Sequence, residues 1–152
     1  MAADLASLIT VRRLEHTALV VDDLDAELGR QRRLFGMPLL HRQTVPEQDV
    51  EAAALLAGQV RLEVMRPLSE DGAIARFLER RGSGAVHHVA YEVDDVAAAL
   101  RTLGDAGVRM IDREPRVGLG GLWIGFVHPS ETGGLLTELV QIPPGVDPYH
   151  AH

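Results

Sequence analysis

Apolar residues fill 13–21 and again 85–93, and each stretch runs into the same punctuation, Val-Asp-Asp, at 21–23 and 93–95. The apolar stretches read as strands. The pattern then changes to helical spacing. After the second punctuation Val96, Ala99, Leu100 and Leu103 recur on one helical face, and Gly107 follows as a stop signal. After the first, Leu24, Leu28 and Phe35 are apolar and Gly36 follows. Asp23 and Asp95 are placed as N-caps, because a carboxylate there accepts from the free N–H groups of the first turn.

The two patterns are copies of one unit. At an offset of 72, His16 falls on His88, Asp22 on Asp94, Asp23 on Asp95 and Ala26 on Ala98. A second match follows at an offset of 75, where Leu62-Glu63-Val64 lines up with Thr137-Glu138-Leu139. Two matches in order at nearly one offset point to duplication. Each unit reads as strand, helix, then three strands. The strands are predicted at 13–21, 37–45, 50–57 and 60–66, then at 85–93, 109–112, 122–128 and 135–142. This divides the chain into an N-terminal extension (1–12), a first βαβββ module (13–66), a connecting helix or linker (67–84), a second βαβββ module (85–142) and a flexible tail (143–152).

Strand alternation gives the duplicated polar residues a direction. His88, Ala90 and Glu92 share one face and Val89, Tyr91 and Val93 the other. The apolar set belongs under the helix, so His88 faces away from it. His87 then points toward the helix and reads as structural. His16, Ala18 and Val20 repeat the arrangement, and Glu63 faces away from Leu62 and Val64. Singly, such residues are ordinary: a strand histidine is usually structural, and Glu63 has Arg61 on its own face as a bridging partner. Together, His16, Glu63, His88 and Glu138 form a donor set suited to a divalent ion such as Co²⁺, Mn²⁺, Ni²⁺ or Zn²⁺. Four protein ligands around a six-coordinate ion leave two positions open, the arrangement of a Lewis acid.

Composition narrows the chemistry. The 152 residues carry 15 Lys plus Arg against 22 Asp plus Glu, a net charge of −7, which argues against a nucleic-acid partner. There is no cysteine, so disulfides, thiolate metal sites and Cys nucleophiles are excluded. Lysine is absent too, which excludes Schiff-base chemistry on a lysine. No apolar run approaches the ~18 residues of a membrane span. The first ten residues lack the basic start of a signal peptide, so a cytoplasmic location is expected.

With these residues in view, the sequence resembles the vicinal oxygen chelate superfamily (glyoxalase/bleomycin resistance/dioxygenase), and within it the methylmalonyl-CoA epimerases. The resemblance runs from about Leu14 to Gln141 and is densest at VPEQDV (45–50), RPLSEDGAIARFLERRGSGAVHHVAYEVDD (66–95) and DREPRVGLGGLWIGFVHPSETGGLLTELVQ (112–141). It implies an α+β fold in which two paired βαβββ modules form a curved mixed sheet around a metal site. It implies ligands at His16, Glu63, His88 and Glu138, and a proton-transferring base at Glu47. It also implies an acyl-CoA substrate, interconversion of the two C2 epimers of methylmalonyl-CoA, and a homodimer. Removing the C2 proton creates an enolate, which a divalent ion stabilises. Two bases on opposite faces let the reaction run both ways, with Glu47 as one and Glu138 as the other. Asp49 stands where the family often has Gly, and Ser130 where many members have a basic residue.

Two other functions use the same scaffold. A glyoxalase I-like enzyme also moves a proton beside a carbonyl with a similar ligand set. A non-catalytic small-molecule-binding or resistance protein would not need the complete set.

Overall fold

The structure, a computed structural model, describes residues 6–151. Residues 1–5 of the expected extension and His152 of the expected tail lie outside the described residues. The first half contains β1 (Arg13–Val20), α1 (Leu24–Phe35), β2 (Leu39–Val45), β3 (Val50–Ala57) and β4 (Val60–Pro67). A connecting helix, α2 (Ala73–Arg81), leads to β5 (Ala85–Glu92), α3 (Val96–Asp105), β6 (Arg116–Val117), β7 (Trp123–Val127) and β8 (Leu136–Gln141). The local signals act as expected at the helix starts. Asp23 accepts from the Ala26 N–H and Asp95 from the Ala98 N–H, each at 3.0 Å. Gly36 closes α1 in the left-handed conformation at φ 65°.

All eight strands join one mixed sheet in the order β2-β3-β4-β1-β5-β8-β7-β6. Among the described residues, the halves pair in the sheet only at the antiparallel β1–β5 pair; within each half the strand before the helix pairs in parallel with the last strand. The outer face is covered by the two module helices. Leu24 and Leu28 of α1 pack on Ala53, Leu55 and Val64, while Val96, Ala99 and Leu100 of α3 pack on Val127 and Leu139. On the inner face Ile74, Phe77 and Leu78 of α2 pack beside Ala18, Val20 and Met65. The sheet curls until its far ends meet. Leu119, from the turn between β6 and β7, joins that inner cluster, and the Gly120 N–H donates to Gln43 of β2 at 3.4 Å. The result is the α+β half-barrel.

The β1–β5 pairing contains two bulges. Leu14 pairs with Tyr91 and His16 with Ala90, which leaves Glu15 as an extra residue on β1. Ala18 pairs with His88 and Leu19 with Val86, which leaves His87 as the extra residue on β5. Each bulge therefore sits immediately before a duplicated histidine.

Three expectations change. The strand expected at 109–112 is reduced to one bridge, Met110 to Val127, and the short β6 forms at 116–117 instead. The Asp112 carboxylate accepts the Phe126 N–H at 2.9 Å, in place of a ladder carbonyl, and Pro115 has no N–H to donate. His87 faces α2 rather than the module helices, its ring centroid 4.9 Å from that of Phe77, because the bulge breaks the alternation. The tail segment folds back: Val146 packs on the inner cluster around Phe126, Pro148 is buried, and the Tyr149 hydroxyl donates to Glu15 at 3.2 Å.

Gly125 marks the closest approach of α3 to the sheet. A Cβ there would lie 2.6 Å from a Leu100 methyl carbon and 3.2 Å from its Cγ, and Leu100 is itself buried. Gly125→Ala is expected to cost about 1–3 kcal/mol through overpacking, read as a lower midpoint in urea unfolding.

Candidate metal centre

The inner face of the β1–β5 seam gathers the duplicated polar residues. Nε2 of His16 lies 3.1 Å from Nε2 of His88, 3.3 Å from Glu63 Oε2 and 3.4 Å from Glu138 Oε1. Nε2 of His88 lies 3.5 Å from Glu138 Oε2. The donor atoms of His16, Glu63 and His88 all fall within 4.8 Å of one another, and all four residues are buried. β1 and β4 bring His16 and Glu63 from one half; β5 and β8 bring His88 and Glu138 from the other. Glu47 is not among these clustered donors. It is exposed on the 3-10 turn 46–48 between β2 and β3, in a cleft shared with Gln43 and Arg116. Asp49 ends that turn at φ 56°, and its backbone oxygen accepts the Leu68 N–H at 3.0 Å while its carboxylate accepts from Ser69.

The bulged residues set the orientation of both imidazoles. Glu15 Oε1 accepts from His16 Nδ1 at 2.7 Å, and His87 Nδ1 lies 2.8 Å from His88 Nδ1. Each partner occupies the Nδ1 side, so each Nε2 is left to face the centre. Behind Glu15 stands Arg61, fully buried, donating to its two carboxylate oxygens at 2.8 and 2.6 Å and to Glu63 Oε1 at 3.2 Å. Glu15 and its bond to Arg61 are absent from the strand-alternation reading, because alternation turns Glu15 to the outer face. The signal available was Arg61 itself: an arginine in an apolar strand needs a buried carboxylate, and Glu63 satisfies only part of its fork.

The electrostatics favour a cation. Burial disfavours charge on His16, yet Glu63, Glu138 and Glu15 outweigh it and raise its pKa to about 9. Burial raises Glu138 to about 8. Burial also opposes charge on Glu15, but the hydrogen bonds from Arg61 and His16 prevail and hold it well below the usual carboxylate range. His88 is pushed well down by burial and then by the neighbouring His16. His87 is lowered to about 4 by burial alone. Once the protons leave His16 and Glu138, three buried carboxylates, Glu15, Glu63 and Glu138, face the single guanidinium of Arg61, and until then those protons balance the interior charge. Glu138 Oε1 is buried and makes no hydrogen bond among the described residues. An unsatisfied carboxylate oxygen and two imidazole nitrogens aimed at each other suit a divalent ion.

Residues 15–126 match the Glyoxalase/Bleomycin resistance protein/Dioxygenase superfamily, and the chain belongs to that family. An ethylmalonyl-CoA/methylmalonyl-CoA epimerase of Cereibacter sphaeroides is 35% identical over 133 residues, covering 87% of this chain and 99% of the relative. The uncharacterized protein YqjC of Bacillus subtilis is 37% identical over 142 residues, covering 93% and 99%. The solved structure of a variant methylmalonyl-CoA epimerase of Streptomyces coelicolor, in complex with 2-nitronate-propionyl-CoA, superposes with a TM-score of 0.84 at 35% identity, covering 91% of this chain and 99% of that one.

Two outcomes follow for metal binding, both read by calorimetry on metal-free protein. A divalent ion competes with the proton on His16 and with that on Glu138, so affinity is expected to climb as pH rises from about 6.5 toward 9, with protons released on binding. An affinity flat across that range would contradict the pKa ordering. Glu15→Gln, which keeps the shape and loses the charge, is expected to weaken binding by roughly 10–100-fold.

Proposed function

We propose that the chain is a metal-dependent isomerase that interconverts the C2 epimers of methylmalonyl-CoA or a closely related acyl-CoA. The observation that carries this reading is the four-donor centre with its unsatisfied Glu138 oxygen, in a chain whose relatives include methylmalonyl-CoA epimerases. His16, Glu63, His88 and Glu138 are the residues that would hold the ion, with Co²⁺, Mn²⁺, Ni²⁺ and Zn²⁺ as candidates. A bound divalent ion supplies positive charge against the negative charge that develops on the substrate oxygens.

The chain's own groups do the remaining work. Glu47 takes the C2 proton on one face of the substrate or returns it, and Glu138 does the same on the other. The turn carrying Glu47 is tied to the segment before α2 by Asp49, through Leu68 and Ser69. This tie gives Asp49 a structural role at a position where glycine would only relieve the left-handed φ. Burial of the centre keeps water from the developing charge.

The test is isotope exchange. One epimer of methylmalonyl-CoA, incubated in deuterated water with protein and a divalent metal, is expected to exchange its C2 proton and racemise. Turnover of a glutathione hemithioacetal with no exchange of the acyl-CoA would establish the glyoxalase I-like alternative. Stoichiometric binding of a small molecule without metal would favour the non-catalytic one. Glu47→Gln is expected to retain full metal occupancy and lose turnover by about 10²–10⁴-fold, the usual contribution of a positioned general base. Turnover equal to the parent would remove Glu47 from the mechanism.

A further inference from the structure

Residues 143–151 lie beyond both repeats and beyond residues 15–126, which match the family model. They nevertheless reach the β1–β5 seam. The Val146 N–H donates to the Pro143 oxygen at 3.1 Å, and Val146 packs beside Leu122, Ile124 and Phe126. The Asp147 carboxylate then accepts the Tyr149 N–H at 3.0 Å across the buried Pro148, an Asx turn that directs Tyr149 to β1. There Arg13 grips the tyrosine. Its guanidinium carbon lies 4.6 Å from the ring centroid, a terminal nitrogen donates to the hydroxyl, and its Nε donates to Glu92 of β5 at 2.5 Å. The hydroxyl oxygen accepts from Arg13, so its own proton goes to Glu15 Oε2, at 3.2 Å.

Glu15 is a residue whose direction depends on such contacts. As the extra residue of a bulge it is paired with no residue of β4 or β5. Its carboxylate is held by side chains: Oε1 accepts from His16 Nδ1 and Arg61 Nη2, and Oε2 accepts from Arg61 Nε and Tyr149. Two donors on each oxygen fix the plane of the carboxylate. The Arg61 fork is not dedicated to this task, because the same Nη2 donates to Glu63 Oε1 at 3.2 Å. Tyr149 adds a hold on Glu15 that is independent of Glu63.

We propose that Tyr149 is a positioning residue of the metal centre: docked on the seam, the tail holds Glu15 so that the His16 Nδ1 proton stays committed to it and Nε2 stays free for the ion. The proposal rests on the metal-centre reading above and adds a control on that centre from outside the duplicated modules. Such coupling is reciprocal, so a docked tail that favours the ion is itself held down by the bound ion.

The experiment uses the full chain, metal-free, titrated with Co²⁺ or Mn²⁺ in a calorimeter. Tyr149→Phe removes the hydroxyl and keeps the ring. It is expected to weaken binding about three- to tenfold, less than the loss of Glu15's charge, since it acts one bond further out. His150→Ala removes the exposed imidazole that pairs with Asp147 at 2.5 Å, and is expected to leave affinity unchanged. In a Glu15→Gln background the effect of Tyr149→Phe is expected to fall below about twofold, because the two residues act in series. Affinity unchanged in Tyr149→Phe overturns the proposal. So does an equal fold-loss in both backgrounds, the mark of a tail that only stabilises the fold, or an equal loss in His150→Ala, the mark of a tail that binds metal directly. Amide exchange gives the second readout: the ion is expected to slow exchange at residues 146–150 in the parent and not in Tyr149→Phe, and exchange indifferent to the ion in the parent overturns the proposal. If the parent binds neither ion, the metal reading fails by itself, and exchange on the metal-free proteins decides the tail. Faster exchange at 146–150 in Glu15→Gln than in the parent sustains the hold of Tyr149 on Glu15; equal exchange overturns it.

Discussion

Two successive inward-pointing residues cannot occur in a regular strand, and the protein needs them twice. The antiparallel seam between β1 and β5 meets that need with a bulge on each strand, at Glu15 and at His87. Each bulge turns a residue toward the Nδ1 side of the adjacent histidine, and each leaves that histidine's Nε2 facing the shared centre. Among the described residues the seam is also the only place where the halves pair in the sheet, so the duplication and the donor set are one structural fact. Moving either register by one residue would send His16 or His88 to the helix-covered face.

This geometry concentrates charge where water is scarce. Desolvating an ion costs several kcal/mol even after relaxation, and that cost is offset only by close, well-aligned partners. Arg61 provides such a partner for Glu15 and reaches Glu63 with the same terminal nitrogen. It does not reach Glu138, whose Oε1 stays unsatisfied. The fold thus holds one carboxylate as a support for an imidazole and leaves the others as donors. Tyr149 adds a hydroxyl to the support from the end of the chain, so residues beyond the second half take part in the centre.

Much of this was legible in the sequence, and the reason is periodicity. A 72-residue offset that maps His16 onto His88 and Asp23 onto Asp95 carries both the helix starts and the paired histidines. Glu63 followed from alternation and Glu138 from the matching offset of 75, because β4 and β8 are regular where those residues lie. What could not be read was whatever broke periodicity. A bulge leaves no mark in a hydrophobic pattern, so Glu15 and the true direction of His87 were hidden. The 109–112 strand failed for a related reason: side-chain hydrogen bonding by Asp112 replaced part of the ladder. The docking of Val146 and Tyr149 depends on contacts across more than a hundred residues, which local composition does not encode. The sequence also placed Glu47 in a loop, and it stands exposed on the 3-10 turn between β2 and β3.

The account stands on one cation held jointly by both halves of the duplication. Crystals of metal-loaded protein, measured at the absorption edge of the bound metal, test this most directly. A single anomalous peak is expected between β1 and β5, with His16 Nε2, His88 Nε2, Glu63 and Glu138 as its protein ligands. A peak elsewhere, or one ligated by residues of a single half, would contradict it.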